Sequence, residues 1–150
     1  SWMGSCSNEE KLARTNSPAY FSGHNHIRVT RVEGAEAEGV LDIQPESLNP
    51  AGIVHGGALV TLADTVAGVA AWAGGRVCVT LDSSMQYLSP GRGKQIICTA
   101  TPKKQGRTIL VYDAALTDET GKLVAIGTYT FFVTQRQVED TALAGGGTAG

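Results

Sequence analysis

Residues 49–75 read NPAGIVHGGALVTLADTVAGVAAWAGG: a polar turn, a His55-Gly56-Gly57 step, then a long apolar run holding one charge, Asp64. From Ala58 to Trp72 nearly every residue is small or aliphatic, and no proline interrupts the run. Ala and Leu favour helix over strand, and Gly74-Gly75 offers a stop that tolerates a left-handed backbone. A helix apolar all round is expected to be buried all round, wrapped in a sheet or spanning a membrane. Gly56 to Gly75 comes close to the roughly 20 residues a span needs. Asp64 would then sit near mid-bilayer at a cost of roughly 3 kcal/mol, which Ala and Gly do little to offset, so a helix wrapped in a sheet is the expectation.

Asp64 has a bland reading, a hydrogen bond to a neighbouring hydroxyl such as Thr61 or Thr65. It also has a chemical one. Gly56 and Gly57 open the helix, where the first N–H groups lack intrahelical partners and no side chain covers them, a setting suited to a developing oxyanion. Eight residues separate Gly56 from Asp64, roughly 12 Å along one helix axis. One helix therefore cannot bring both to one carbonyl, whereas two antiparallel helices about a two-fold axis can. An active site made from these groups would be shared, and the chain would be at least a homodimer.

Outward from the helix the pattern changes to period two. A strand-like run begins at His26, Glu33-Gly34 makes a turn, and Glu36 to Ile43 forms a second strand. Asn49-Pro50-Ala51-Gly52 then reads as a tight turn, in which Asn49 serves equally well as turn former or substrate-side group. After the helix come four further runs, at residues 76–88, 94–102, 107–117 and 122–133, separated by short turn-rich segments. Two strands, one long helix and four strands make an α+β domain, an antiparallel sheet curled around a central helix.

The stretch resembles the hotdog-fold acyl-CoA thioesterases, particularly the phenylacetyl-CoA and 4-hydroxybenzoyl-CoA thioesterase branch. The likeness rests on Asn49, His55-Gly56-Gly57 and Asp64, with Asn six positions before the His and Asp nine after it, as in that branch. It covers roughly residues 18 to 134, judged by how far the strand pattern runs. It implies the hotdog fold, a homotetramer, and hydrolysis of an acyl-CoA to free acid and CoA without metal or cofactor, CoA entering as part of the substrate. It implies a thioester carbonyl held by the Gly56 N–H and flanked by Gly57, with Asp64 as general base or as nucleophile. His55 would fix the turn or line the thioester end, and Thr80 would help hold the attacking water. An aromatic or short-to-medium acyl group follows from the same likeness.

Thr80 otherwise reads as an ordinary strand residue, and Asp82, two positions on and so on the same face, as a surface charge. Arg92, Lys94, Lys103, Lys104 and Arg107 sit at two strand ends, where they could hold CoA phosphates, although charged hairpin tips are common. Two other functions share these features: a non-catalytic acyl-CoA or metabolite binder, and an acyl-thioester hydratase or dehydratase, whose His and acid motifs are not evident.

The 150 residues, 42% hydrophobic, suit one domain at residues 18–134. A tail or short helix at residues 1–17, with helix expected at 8–14, would precede it, and a flexible tail at residues 135–150 would follow. A net charge of −2 without a basic block argues against nucleic acid. Ser1 to Ser7 lack the pattern of a signal peptide, and Cys6, Cys78 and Cys98 lack CxxC spacing, so a cytoplasmic protein is expected. His24 and His26 could join His55 around a metal. Without clustered acidic or Cys ligands they read instead as a polar loop, and no metal site is expected.

Overall fold

The computed structural model describes residues 8–137. In chain order it holds helices α1 (Asn8–Thr15) and α2 (Phe21–His24), strands β1 (Ile27–Glu33) and β2 (Glu36–Asp42), and a 3-10 turn (Pro45–Ser47). The long helix α3 (Gly56–Trp72) follows, then β3 (Arg76–Tyr87), β4 (Gln95–Gln105), β5 (Ile109–Asp118) and β6 (Leu123–Gln137). The six strands form one antiparallel sheet in the order β1-β2-β4-β5-β6-β3. Strands β4 and β5 outrun their expected ends by one to three residues, and β6 continues to Gln137, opposite Arg76. The readings of Ser1 to Ser7, Cys6 included, and of the tail after Gln137 lie outside the described residues.

Helix α3 touches all six strands, the hotdog arrangement that the resemblance implies. Its core face is Leu59, Leu62, Ala63, Val66, Ala67, Ala70 and Ala71. Alternate strand residues meet it, among them Leu41, Ile96, Cys98, Leu110, Leu116 and Phe131, all buried. Gly39 lets the sheet come this close, since a Cβ there would lie 2.6 Å from a methyl of Val66. Two tyrosines tie helix to sheet: the hydroxyl of Tyr129 donates to the Val60 carbonyl at 3.2 Å, and that of Tyr112 to the Ala70 carbonyl at 3.3 Å.

The helix is not buried all round. Val60, Thr61, Asp64, Thr65, Gly68 and Val69 remain half-exposed. A single curled sheet covers one side of a helix, and the stripe it leaves uncovered mixes Val60 and Val69 with Thr61, Asp64 and Thr65. Among the described residues no helix is long and apolar enough to cross a membrane.

Candidate functional site

The chain reaches α3 through a bracketed turn. Asn49 Oδ1 accepts from the Ala51 N–H at 2.9 Å and the Ile53 N–H at 3.3 Å, so its side-chain oxygen is committed to shaping the turn. The N–H groups of Val54 and His55 are fixed by the carbonyls of Gly91 and Ser47. His55 stands at the N-cap in extended conformation (φ −61°, ψ 137°), and its Nδ1 accepts the Gly57 N–H at 2.8 Å. That bond requires the neutral imidazole with its proton on Nε2. Of the two glycine donors expected at the helix start, His55 therefore occupies Gly57, whereas the Gly56 N–H makes no hydrogen bond among the described residues. Tyr87 lies over this end, its ring 3.4 Å from where a Gly56 Cβ would stand.

Two turns along the helix, Asp64 meets Thr80. The Thr80 hydroxyl donates to Asp64 Oδ1 at 2.8 Å. Thr61 instead donates to the Gly57 carbonyl at 2.8 Å, so the bland expectation of a Thr61 partner for Asp64 is not what the structure holds. A β-bulge between Thr80 and Asp82 sets which side chains of β3 face the helix. Thr80 pairs with Phe131, which is buried on the helix side, while Asp82 pairs with Thr130 on the outer face. The extra residue, Leu81, thus reverses the expected placement of Asp82 beside Thr80. A single carboxylate faces the helix here.

A cleft opens over this pair, lined by Tyr20, Phe21, Val60, Thr61, Ser83 and Tyr129. Sequence reading passed over Tyr20 and Phe21; the available signal was two adjacent aromatics in a polar stretch, 54% and 72% exposed here. Burial, then the Asp64 carboxylate, raises the Tyr129 phenol above its ordinary range, so it stays a neutral donor. Burial pushes the nearby Cys78 thiol up to about 11, leaving it a poor nucleophile at neutral pH.

The basic residues divide into two groups. Arg92 and Lys94 precede β4 at the Gly56 end of the helix, where Gly91 packs on Val54. Lys103, Lys104 and Arg107 lie at the far end of β4, roughly 30 Å away at about 3.3 Å per residue. Lys103 there pairs with Asp113 at 3.2 Å. His26 Nε2 is 2.8 Å from Glu46 Oε2. No group of three or more His, Cys, Asp or Glu suited to a metal ion gathers among the described residues.

Residues 51–125 match the model of the thioesterase superfamily. The chain is 33% identical over 109 residues to human acyl-coenzyme A thioesterase 13, covering 69% of this chain and 78% of that protein. Among solved structures it resembles a hypothetical thioesterase of Streptococcus pneumoniae TIGR4 with coenzyme A. There the TM-score is 0.75 at 29% identity, over 85% of this chain and 98% of that one. Two further structures of that protein carry alanine in place of an aspartate and of a threonine, sixteen residues apart in its own numbering. A Streptococcus mutans UA159 protein bound to acetyl-CoA matches with a TM-score of 0.70 at 30% identity, over 74% and 90% of the two chains.

Proposed function

The chain belongs to the thioesterase superfamily, and from that membership we propose that it hydrolyses an acyl-CoA thioester to free acid and CoA. We further propose that a second copy of the chain completes the site. The observation that carries the chemistry is the Thr80–Asp64 pair at 2.8 Å, on a helix whose first N–H stands open. Asp64 and Thr80 are sixteen residues apart, the separation of the aspartate and threonine replaced in the Streptococcus pneumoniae protein.

The two-fold arrangement is supported by how helix and strand lie together. A two-fold axis that brings Gly56 of one protomer to Asp64 of the other must pass beside α3 and cross the level halfway between them, at Val60. Along β3 it must cross the level midway between Thr80, which bonds Asp64, and Tyr87, whose ring lies over Gly56: near Ser83. These crossing points lie at one level, because Tyr129 pairs with Ser83 in the sheet and donates its hydroxyl to the Val60 carbonyl. One axis thus serves both elements. It also places Arg92 and Lys94 of one protomer at the same end of the dimer as Lys103, Lys104 and Arg107 of the other, a basic margin for CoA phosphates. The tetramer implied by the resemblance would add a second such dimer.

In this reading the thioester oxygen accepts a hydrogen bond from the Gly56 N–H of one protomer, where the helix dipole favours the charge that develops on it. The partner's Asp64, held through Oδ1 by Thr80, presents Oδ2. As general base it takes a proton from water while the water oxygen bonds to the carbonyl carbon, and the tetrahedral intermediate expels CoA thiolate. As nucleophile it attacks the carbon itself, expels the thiolate, and leaves a mixed anhydride that water opens.

Thiol release from a panel of acyl-CoAs, comparing wild type with Asp64→Asn, tests the assignment. A fall of at least about a hundredfold, with fold and CoA binding retained, supports it. Equal release by both proteins puts the chemistry elsewhere. CoA binding without release by wild type would make this a binding protein.

A further inference from the structure

An apolar groove continues from Asp64 along α3 toward its C-terminal end, lined by Thr15, Gly68, Val69, Trp72, Cys78 and Phe131. Asp64 and Thr80 line its mouth as well as the cleft above, so groove and chemical pair are continuous. Building on the thioesterase reading, we infer that the acyl group is an uncharged chain of about six to ten carbons, laid from Asp64 toward Trp72.

Asp64, Gly68 and Trp72 are spaced i, i+4 and i+8 and share one helix face. A mid-helix glycine costs about 1 kcal/mol relative to alanine. Nothing in the protomer demands it at position 68, where a Cβ would meet only the Phe131 ring, at 3.9 Å. What its missing side chain provides is an open path past the helix. Trp72 ends that path as a fixed wall, its Nε1–H donating to the Cys78 carbonyl at 3.1 Å. The Phe131 floor is held edge-on against Tyr112, with ring centroids 6.1 Å apart.

Length follows from geometry. Eight helical residues advance about 12 Å. An extended chain of roughly 1.5 Å bonds at tetrahedral angles gains about 1.25 Å per carbon, which places the limit near eight to ten carbons. Charge is selected as well. Asp64 is the one charged side chain among the described residues lining the groove, so a second carboxylate on the acyl group would be desolvated beside a like charge. The indole N–H, already bonded, is not free to receive a ring hydroxyl.

The test is kcat/KM for saturated acyl-CoAs from two to sixteen carbons, with succinyl-CoA and 4-hydroxybenzoyl-CoA beside them. The expected profile climbs roughly threefold to fourfold per methylene, as for ordinary apolar burial, and stops climbing by about ten carbons. In Gly68→Leu the octanoyl-to-butyryl ratio should fall at least about tenfold, and in Trp72→Ala the optimum should move two to four carbons longer. Gly68→Ala, a change that favours helix, carries the same comparison with a smaller fall if the leucine variant does not fold. Thiol release with a flat profile, an optimum at acetyl or succinyl, or an unmoved ratio in every variant overturns the groove and leaves the hydrolase standing. No release from any acyl-CoA overturns both.

Discussion

The two edges of the sheet are finished differently. At β1, outward side chains are charged and tied down: Arg28 reaches Asp42 at 2.7 Å and Arg31 reaches Glu33 at 3.6 Å, while α1 and α2 pack alongside. Strand β3 instead presents Val79, Leu81 and Tyr87, each more than half exposed, and Asp82 is its one carboxylate. Proteins protect free edges with charge, bulges or cover, and β3 has two register irregularities but only Arg76 and Asp82 as charges along its length. The uncovered stripe of α3 borders the same edge, where Val60, Thr61 and Asp64 line one cleft with Thr80 and Ser83 of β3. The contrast teaches that the β1 side is finished within one chain, whereas the β3 side, where Asp64 and Thr80 meet, is the face that the proposed second copy would cover.

That contrast can be broken most severely at Leu81. Leu81→Arg puts a charge on the open edge at a site 60% exposed, so the protomer should keep its fold. Size-exclusion mass is expected to fall to that of smaller species, and thiol release to drop to background, because Gly56 and Asp64 then lack their counterparts. A monomer with full activity would sink the shared site. Next comes Gly56→Pro, which deletes one N–H and adds a ring whose Cβ would stand in ordinary contact with Tyr87, at 3.4 Å. Proline suits the first helical position, and His55 before it already has the extended conformation that proline requires. Loss of a single oxyanion donor should lower kcat by about a hundredfold to a thousandfold with oligomeric mass unchanged. The smallest effect should come from the finished edge. Arg28→Ala removes an exposed ion pair worth at most about 1 kcal/mol, so the thermal midpoint should move slightly, and mass and turnover not at all. A large loss of activity there would erase the distinction between the edges.

Much of this was legible before the structure. The apolar run, its glycine flanks and the alternating runs around it give the element order, because periodicity reports which side of an element is buried. Asp64 and Thr80 could be picked out as candidates. The bulge at Leu81 could not, since nothing in the run Thr80-Leu81-Asp82 marks the inserted residue, and without it Asp82 falls on the wrong face. The half-exposed helix was hidden for a related reason: Thr61, Asp64, Thr65 and Gly68 stand among apolar neighbours, and composition alone does not mark them as the one stripe that the sheet leaves open. His55 was legible as a neighbour of the site but not as the group that occupies Gly57, which depends on the imidazole turning back over the first helical turn.

The most direct measurement is complementation between two disabled proteins, Asp64→Asn and Gly56→Pro, unfolded together, refolded and assayed for thiol release. Each alone has two defective sites per dimer. In a mixed dimer the Asp64→Asn chain supplies an intact Gly56 and the Gly56→Pro chain an intact Asp64, so one of its two sites is whole. With random pairing, activity should return to roughly one quarter of wild type, half of the dimers being mixed and each holding one good site. Activity that stays at the average of the two parents would contradict a site built across the two-fold axis.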